Sequence, residues 1–203
     1  MARIFTISRG FGSGGRTIGK MLSEKLGIKY YDNSLIKLAS EESGINEAFF
    51  GLVDEMVKKS FIKRGGKYKG GILSPSNKEY TSDANLFNFQ AKIIKELAEK
   101  EPCVIVGRCA DYILRDRDDV VKLLIFCDRE TAVHNVMEAY GNTEKEAVKL
   151  IERTDKMRSD YYRHYTEREW TSPFNYDLCI NTSGMDFAVC VDVITSYVKD
   201  TNK

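Results

Sequence analysis

Five glycines lie in the segment ISRGFGSGGRTIGK near the start of the sequence, and their spacing matches two phosphate-binding patterns. Gly10, Gly12 and Gly15 match G-x-G-x-x-G, which binds the pyrophosphate of a dinucleotide. Gly10 and Gly15 also match G-x-x-x-x-G-K-[ST], with Arg16 in place of the lysine and Thr17 as the last residue. In both patterns the backbone N–H groups of the turn and the start of a helix bind an anion.

The position of the following strands favours the second pattern. A dinucleotide fold needs a second β-α-β unit soon after the first, with an acidic residue about 20 positions beyond the glycines. Asp32 satisfies the second condition, but residues 33–102 separate the second predicted strand from the third. An insertion at this place suits a mononucleotide kinase, so we interpret the glycines as a triphosphate loop. A glycine turn without any ligand is the alternative.

Two side chains after the glycines have the chemistry that a triphosphate site needs. The Thr17 hydroxyl is placed to bind Mg²⁺, and Arg16 supplies a permanent positive charge. An arginine is longer and planar, so it would hold a phosphate with a different geometry from a lysine. If Arg16 only begins the helix, Lys20 is the next cation to consider.

The composition argues against several classes of protein. The chain has 203 residues with 31 basic and 30 acidic side chains, and its net charge of +1 gives no reason to expect nucleic acid or an anionic membrane as a partner. We find no apolar run long enough for a transmembrane helix and no signal peptide, so we expect a cytoplasmic protein. Two histidines without metal-site spacing, and five cysteines without a C-x-x-C pair, predict no zinc site and buried free thiols.

The elements that must position these residues alternate between strands and helices. Their apolar runs are typical of strands that are buried on both faces, which indicates an α/β fold with a parallel sheet between two helical layers. We predict strands at 2–8, 28–32, 102–107, 121–127 and 177–181. We predict helices at 16–26, 84–99, 129–140, 143–165 and 185–199, a mostly helical segment at 33–64 with a break near residue 43, and a long mobile loop at 64–83.

Three segments together resemble the cytidylate-kinase-like family of P-loop proteins: ISRGFGSGGRTIGKMLSEKLGIKYYD, PCVIVGRCADYIL and YDLCINTS. The resemblance extends from the first strand to the last helix. It implies a P-loop three-layer fold with a five-stranded parallel sheet, formed by a single domain over residues 1–203. The core would comprise residues 1–32, 100–140 and 174–203, the helical acceptor-binding insertion residues 33–99, and the mobile lid residues 150–172.

The resemblance also implies roles for individual residues. The loop for the ATP phosphates would consist of Gly10, Gly12, Ser13, Gly14, Gly15, Arg16 and Thr17. Tyr31, Asp32 and Asn33 would lie near the acceptor nucleotide, and Arg108 after the third strand would contact it. The family pattern has an aspartate after that arginine, where this chain has Cys109, and Asp111 would compensate only if the turn allows it.

The lid of cytidylate kinases is rich in arginine, and its counterpart here is IERTDKMRSDYYRHYTEREW. Asp155 and Arg158 match a family pair at this spacing and share one face of a helix. The arginine that precedes this pair in the family falls on Ile151, which is a second departure. Further candidate lid cations are Arg153, Lys156, Arg163 and Arg168, although a solvated charged helix is an equal interpretation of each.

The resulting hypothesis is an ATP- and Mg²⁺-dependent kinase that transfers the γ-phosphoryl group to CMP, dCMP or a similar small acceptor. Arg16, Asp32, Arg108 and Arg158 are the candidate catalytic residues, and Arg153 and Asp155 complete the acceptor site. Two alternatives are a kinase of a different small acceptor on the same fold and a nucleotide-binding regulatory protein with little turnover. The acceptor, the oligomeric state and the function of the 64–83 loop stay open.

Overall fold

The computed structural model describes residues 3–50 and 71–201. The strands in these ranges are β1 (Ile4–Arg9), β2 (Lys29–Tyr31), β3 (Cys103–Val106), β4 (Val120–Phe126) and β5 (Leu178–Asn181). The helices with both ends in these ranges are α1 (Gly15–Leu26), α2 (Ser34–Ser43), α3 (Asp83–Lys100), α4 (Ala110–Ile113), α5 (Arg129–Tyr140), α6 (Glu144–Thr166) and α7 (Phe187–Thr201), and a 3₁₀ turn spans Pro173–Asn175.

The five strands form one sheet in the order β2-β3-β1-β4-β5, and every neighbouring pair is parallel. The predicted α/β class and five-stranded parallel sheet are therefore confirmed. The observed ends of the strands differ from the predicted ones by at most two residues, which is the usual precision for the ends of such elements. Since all strands run the same way, the residues that follow them gather at one edge of the sheet.

Helices cover both faces of the sheet. One face packs against α1 and α7, through residues such as Ile18, Leu22 and Ile194. The opposite face packs against α2, α3, α4 and α6, and its core contains Phe87 and Tyr165, whose rings stack 4.0 Å apart. The two layers leave β1 and β3 almost fully buried, which explains their continuous apolar runs.

Local signals set the ends of the helices beside the site. Gly27 adopts the left-handed conformation at the end of α1, as a C-cap glycine does. The Asp128 side chain accepts a hydrogen bond from the Thr131 N–H at the start of α5. Thr143 and Glu146 form a reciprocal capping box at the start of α6. Gly141 ends α5 in the left-handed conformation, and α6 begins at Glu144, so the two helices form a hairpin.

The described part of the predicted 64–83 loop contains neither helix nor strand between residues 71 and 82, and the rest lies outside the described residues. The buried Asn85 side chain holds this segment, because it accepts from the Leu73 N–H and donates to the Tyr80 carbonyl. The Tyr80 hydroxyl donates in turn to the carbonyl of Ser43 at the end of α2. The segment is thus attached to two helices.

All five cysteines are free thiols, but the prediction that they are buried holds only for Cys103, Cys109 and Cys190, because Cys127 is half-buried and Cys179 is exposed. Cys179 lies on the edge strand β5, where no further strand covers the sheet. In the described ranges, no helix combines the length and apolarity that crossing a bilayer requires. The same ranges contain no cluster of three or more histidine, cysteine, aspartate or glutamate side chains arranged for a metal ion.

Candidate active site

The glycine loop connects β1 to α1 and is fixed by close packing. Gly12 and Gly14 both have positive φ angles, 82° and 76°, which side chains rarely tolerate. A Cβ atom on Gly12 would lie 2.7 Å from the carbonyl oxygen of Ala132 in α5. A Cβ atom on Gly14 would lie 2.2 Å from the ring of Phe187 in α7. The loop therefore packs between two helices, which leave no room for a side chain at position 12 or 14.

Gly15 packs against side chains of β1 and β4. A Cβ atom there would lie 2.5 Å from the Cβ of Arg9 and 3.4 Å from that of Ile125. The position is buried and faces the sheet. Gly15 therefore allows α1 to approach the end of β1 closely, so a larger residue here would push into the protein.

The first turn of α1 presents unpaired amides to a cavity. Within the described residues, the N–H groups of Gly15, Arg16 and Thr17 donate to no acceptor, as the first amides of a helix do. The cavity beside them has a volume of about 420 Å³, and we call it the donor cavity. Asn135 fixes the loop from α5, because its side-chain N–H donates to the Gly12 carbonyl at 2.8 Å. The arrangement can bind an anion through backbone amides and the helix dipole.

Ser13 has a structural contact in this loop. Its side chain is fully buried, and the hydroxyl donates to the Gly10 carbonyl at 2.8 Å. Ser13 is not among the residues that line the donor cavity, whereas Gly10, Gly12, Gly14, Gly15, Arg16 and Thr17 all line it. The predicted contact of these residues with ATP stays a prediction.

Arg16 extends away from its own helix toward the end of β2. Its Nε lies 2.7 Å from the Asp32 carboxylate, and its Nη2 donates to the Asn33 side chain at 3.2 Å. Half of the Arg16 side chain is exposed, so the contact is accessible from the cavity. The structure therefore brings together three of the predicted site residues. Tyr31 is not among them, because its hydroxyl donates to Glu101 at 2.7 Å.

A second cavity of about 210 Å³ lies at the carboxyl edge of the sheet, and we call it the acceptor cavity. Its charged lining comes from four separate parts of the chain: Arg9, Arg16, Asp32, Arg108 and Arg158. Aromatic side chains of α6 and the following segment complete the wall, namely Tyr161, Tyr162 and Trp170. Such a cavity can hold a small molecule that carries an anionic group at one end and an apolar or aromatic group at the other.

The backbone after β3 takes an unusual path into this cavity. Gly107, Arg108 and Cys109 have successive φ angles of 78°, 58° and 54°. Left-handed conformations cost about 1 kcal/mol or more for residues other than glycine and are concentrated at functional sites. The turn places Arg108 and Cys109 on the cavity wall and begins the short helix α4. That helix was not predicted, because four residues are too few to show a periodic pattern.

Asp111 does not take the place of the aspartate that the family pattern has at the position of Cys109. Its side chain is buried beneath the wall and accepts a hydrogen bond of 2.6 Å from the Tyr162 hydroxyl. It is not among the residues that line the acceptor cavity. Burial raises the pKa of Asp111 to about 6, although the bond from Tyr162 acts in the opposite direction. Its contact holds α6 against α4.

The long helix α6 contacts the glycine loop through Asp155 and Arg158. The Phe11 N–H donates to the Asp155 carboxylate at 2.8 Å, and Arg158 Nη1 lies 3.4 Å from the same oxygen. Arg158 also donates to the backbone carbonyl of Arg9 at 3.0 Å. Burial raises the pKa of Asp155, while the Phe11 amide and Arg158 lower it. Burial is also the main cause that lowers the pKa of Arg158.

Arg153 and Ile151 lie on other sides of the same helix. Arg153 is exposed and lines neither the donor nor the acceptor cavity. Ile151 lines a third cavity of about 680 Å³, which is wider than the other two but predominantly apolar. The chemistry of phosphate transfer needs charged groups, so we assign the site to the two smaller cavities. The apolar residue at position 151 suits its apolar surroundings.

Sequence reasoning missed Arg9, which lines both the donor and the acceptor cavity. Its guanidinium lies 3.6 Å from the Asp32 carboxylate, and only 15% of the side chain is exposed. Burial and the neighbouring Arg158 lower its pKa. One signal was available: a charged residue that ends a buried strand of a parallel sheet lies at the ligand-binding edge.

Comparison with known proteins agrees with this geometry. The model of the cytidylate kinase-like family matches residues 4–184. A cytidylate kinase from Archaeoglobus fulgidus is 28% identical over 201 residues, which cover 96% of this chain and 93% of that protein. An uncharacterized protein from Eubacterium ventriosum has a crystal structure with a TM-score of 0.69, 30% identity, and coverage of 97% of this chain and 98% of the other.

More distant solved structures share the fold. Shikimate kinase from Bacteroides thetaiotaomicron has a TM-score of 0.54 at 13% identity, with 97% of this chain and 98% of that chain covered. Shikimate kinase from Aquifex aeolicus has a TM-score of 0.52 at 15% identity, with 98% of both chains covered. The family match and the cytidylate kinase relative support a kinase, and the solved structures show its fold. The chain belongs to the cytidylate kinase-like family.

Proposed function

We propose that this protein is an ATP-dependent phosphotransferase that moves the γ-phosphoryl group of ATP to CMP, dCMP or a similar small acceptor. One observation carries the proposal: the donor and acceptor cavities share Arg9, Arg16 and Arg158. A phosphoryl group in transit must lie between its donor and its acceptor and must be neutralised there. Shared guanidinium groups at the junction of two cavities are suited to that task.

On the donor side, the backbone amides of Gly15, Arg16 and Thr17 bind the ATP phosphates. The side chain of Thr17 is exposed on the first turn of α1 and lines the cavity, so its hydroxyl fits a Mg²⁺ ion. Mg²⁺ in such sites is held mostly by substrate phosphates and water, so a cluster of carboxylates is not required. When bound, the ion neutralises charge on the β- and γ-phosphates.

On the acceptor side, Arg108 and Arg158, which both line the cavity, bind the acceptor phosphate. Asp32 holds Arg16 and orients the acceptor from the end of β2. Arg16 moves from Asp32 toward the β- and γ-phosphates when ATP binds, because a triphosphate offers more negative charge than one carboxylate. No covalent intermediate is needed, since positioning and charge neutralisation supply most of the catalysis of phosphoryl transfer.

The identity of the base rests on the family relationship. The similar protein from Archaeoglobus fulgidus is a cytidylate kinase, which makes CMP the first acceptor to test. The aromatic side chains of Tyr161, Tyr162 and Trp170 line the same cavity and offer apolar surface for a planar ring.

A different acceptor on the same fold is the second candidate. One observation favours it: Cys109 lines the acceptor cavity where the family pattern has an aspartate, and Asp111 is buried behind the wall. Without a carboxylate at this position, the cavity has one group fewer to accept a hydrogen bond from the ribose or the base. A substrate without ribose or base donors at this place would bind equally well.

A coupled assay of ADP release with ATP and a panel of acceptors tests the proposal. The panel contains CMP, dCMP, UMP, AMP, and non-nucleotide acceptors such as shikimate. We expect turnover with CMP or dCMP at least tenfold above the rate without acceptor. Turnover only with another acceptor would support the second candidate, whereas ATP binding without turnover on any acceptor would contradict both.

A further inference from the structure

The Arg9 side chain lies between two glycines that come from distant parts of the sequence. A Cβ atom on Gly15 would lie 2.5 Å from the Arg9 Cβ, and one on Gly107 would lie 2.2 Å from its Nη1. Gly15 begins α1 and Gly107 follows β3, so the guanidinium passes from β1 across the end of β3 toward Asp32. The two glycines leave space for this guanidinium, which lines the acceptor cavity.

The charge of Arg9 is incompletely neutralised within the described residues. Its nearest carboxylate, Asp32, is 3.6 Å away and lies closer to Arg16, at 2.7 Å. The Nε atom of Arg9 is buried without a hydrogen-bond partner. Burying a charged group without full pairing is unfavourable, so a protein retains one where the charge is used.

The charges around Arg9 add to this imbalance. Among the described residues, the acceptor cavity is lined by four guanidinium groups, those of Arg9, Arg16, Arg108 and Arg158, and by one carboxylate, that of Asp32. Asp155 contributes a second carboxylate nearby, but it is engaged by the Phe11 amide and Arg158. Arg9 therefore lies in a predominantly cationic part of the described structure, which suits an anion such as a phosphate monoester.

A purely structural role would predict a different environment. An arginine that only ties β1 to β2 would form a close, bidentate pair with Asp32, and its Nε would be satisfied. The longer 3.6 Å separation, the competing Arg16 and the buried Nε do not fit such a tie. They fit a guanidinium whose partner is an anion that enters the cavity.

Building on the proposed function, we propose that Arg9 binds the anionic group of the acceptor directly and makes the site select a phosphorylated acceptor over the same molecule without its phosphate. Arg108 and Arg158 line the same cavity and bind the same anionic group together with Arg9. Selection follows because an acceptor without a phosphate leaves the buried charge unneutralised. The Arg9 guanidinium is then a substrate-binding group of the acceptor cavity.

The test compares the wild-type protein with Arg9→Gln and Arg9→Met in titration calorimetry with CMP, cytidine and ATP. Arg9→Gln keeps a donor toward Asp32 but removes the charge, so it covers the possibility that Arg9→Met fails to fold. We expect the affinity for CMP to fall about 10- to 100-fold in both variants. The affinity for cytidine should not change, and that for ATP should change less than threefold. Arg3→Gln, at the exposed start of the same strand, is the control and should bind as the wild type does.

Equal CMP affinity in wild type and Arg9→Gln would overturn the inference, as would equal losses for CMP and ATP. If the wild type does not bind CMP, the proposed function fails, and inorganic phosphate becomes the probe. The rise in the thermal midpoint that phosphate causes should then be at least halved in Arg9→Gln. An undiminished rise in that variant would overturn the role of Arg9 independently of the acceptor.

Discussion

The donor and acceptor cavities are built in different ways from the same edge of the sheet. The glycine-loop side of the donor cavity comes from one continuous segment within residues 10–17. The acceptor cavity collects Arg9, Asp32, Arg108 and Arg158 from the ends of three strands and the middle of α6. A local site keeps its geometry through a few turns and caps, whereas a composite site depends on the packing of the whole α/β core.

The largest expected effect comes from Arg16, one of the three arginines that line both cavities. Arg16→Ala should reduce kcat/KM by about 30- to 1,000-fold, the scale for removing one preorganised donor in phosphoryl or acyl transfer. Arg16→Lys should recover part of the loss, because the charge returns without the planar fork. Steady-state kinetics with both substrates varied measures the effect.

Lys20→Ala is the matched control for Arg16, since Lys20 is exposed and lies one turn further along α1. Its kinetics should match those of the wild type. A loss in Lys20→Ala together with normal kinetics in Arg16→Ala would move the catalytic cation to Lys20 and leave the two cavities without a common arginine at the start of α1.

A smaller effect should distinguish the kinetic contribution of the acceptor cavity from that of the donor cavity. Arg108 lines only the acceptor cavity, so Arg108→Ala should raise the acceptor KM about 10- to 100-fold while the KM for ATP changes little. Arg129→Ala removes an exposed arginine that pairs with Glu152 and serves as the control. Parallel increases in both KM values, accompanied by a lower thermal midpoint, would show that Arg108 supports the fold instead.

The smallest effect concerns the wall of the acceptor cavity and depends on pH. The raised pKa of Asp111, about 6, means that the folded protein binds its proton more tightly than the unfolded chain does. Between about pH 4 and pH 6, Asp111 therefore makes stability fall as pH rises. We expect the free energy of unfolding of the wild type to drop by about 1 to 3 kcal/mol relative to Asp111→Asn over this interval.

Urea unfolding of both proteins at pH 4.5 and pH 7.5 provides the measurement. Asp118→Asn, on an exposed position near the start of β4, should follow the wild type at both values. If Asp111→Asn and the wild type lose or gain stability in parallel, the buried carboxylate does not titrate in this interval, and the bond from Tyr162 outweighs its burial.

The sequence predicts the fold and the glycine loop because both depend on local patterns. Apolar runs identify the strands, and the spacing of the glycines identifies the loop. The i, i+3 spacing of Asp155 and Arg158 likewise predicts their contact in α6. Arg153 lies five residues before Arg158, which is about 140° around a helix, so helical phase alone places it on another face.

The rest of the acceptor cavity depends on contacts between distant segments. Arg9 acquires its position from Gly15 and Gly107, and no pattern in the sequence links these two glycines. Tyr31 matches the family pattern, but its hydroxyl donates to Glu101, which lies 70 residues later at the end of α3. The left-handed turn at residues 107–109 includes two residues with side chains, so glycine and proline signals do not reveal it.

That left-handed turn has a consequence for how tightly an acceptor binds. Arg108 sits on a backbone whose rare conformation is fixed when the protein folds, so the loss of conformational entropy at this position belongs to folding and not to binding. A guanidinium on a mobile loop would lose that freedom each time a ligand arrived, at about 1 to 2 kcal/mol for each ordered residue. In the proposed acceptor site, the entropy cost of ordering this backbone is therefore met during folding, and binding does not incur it again.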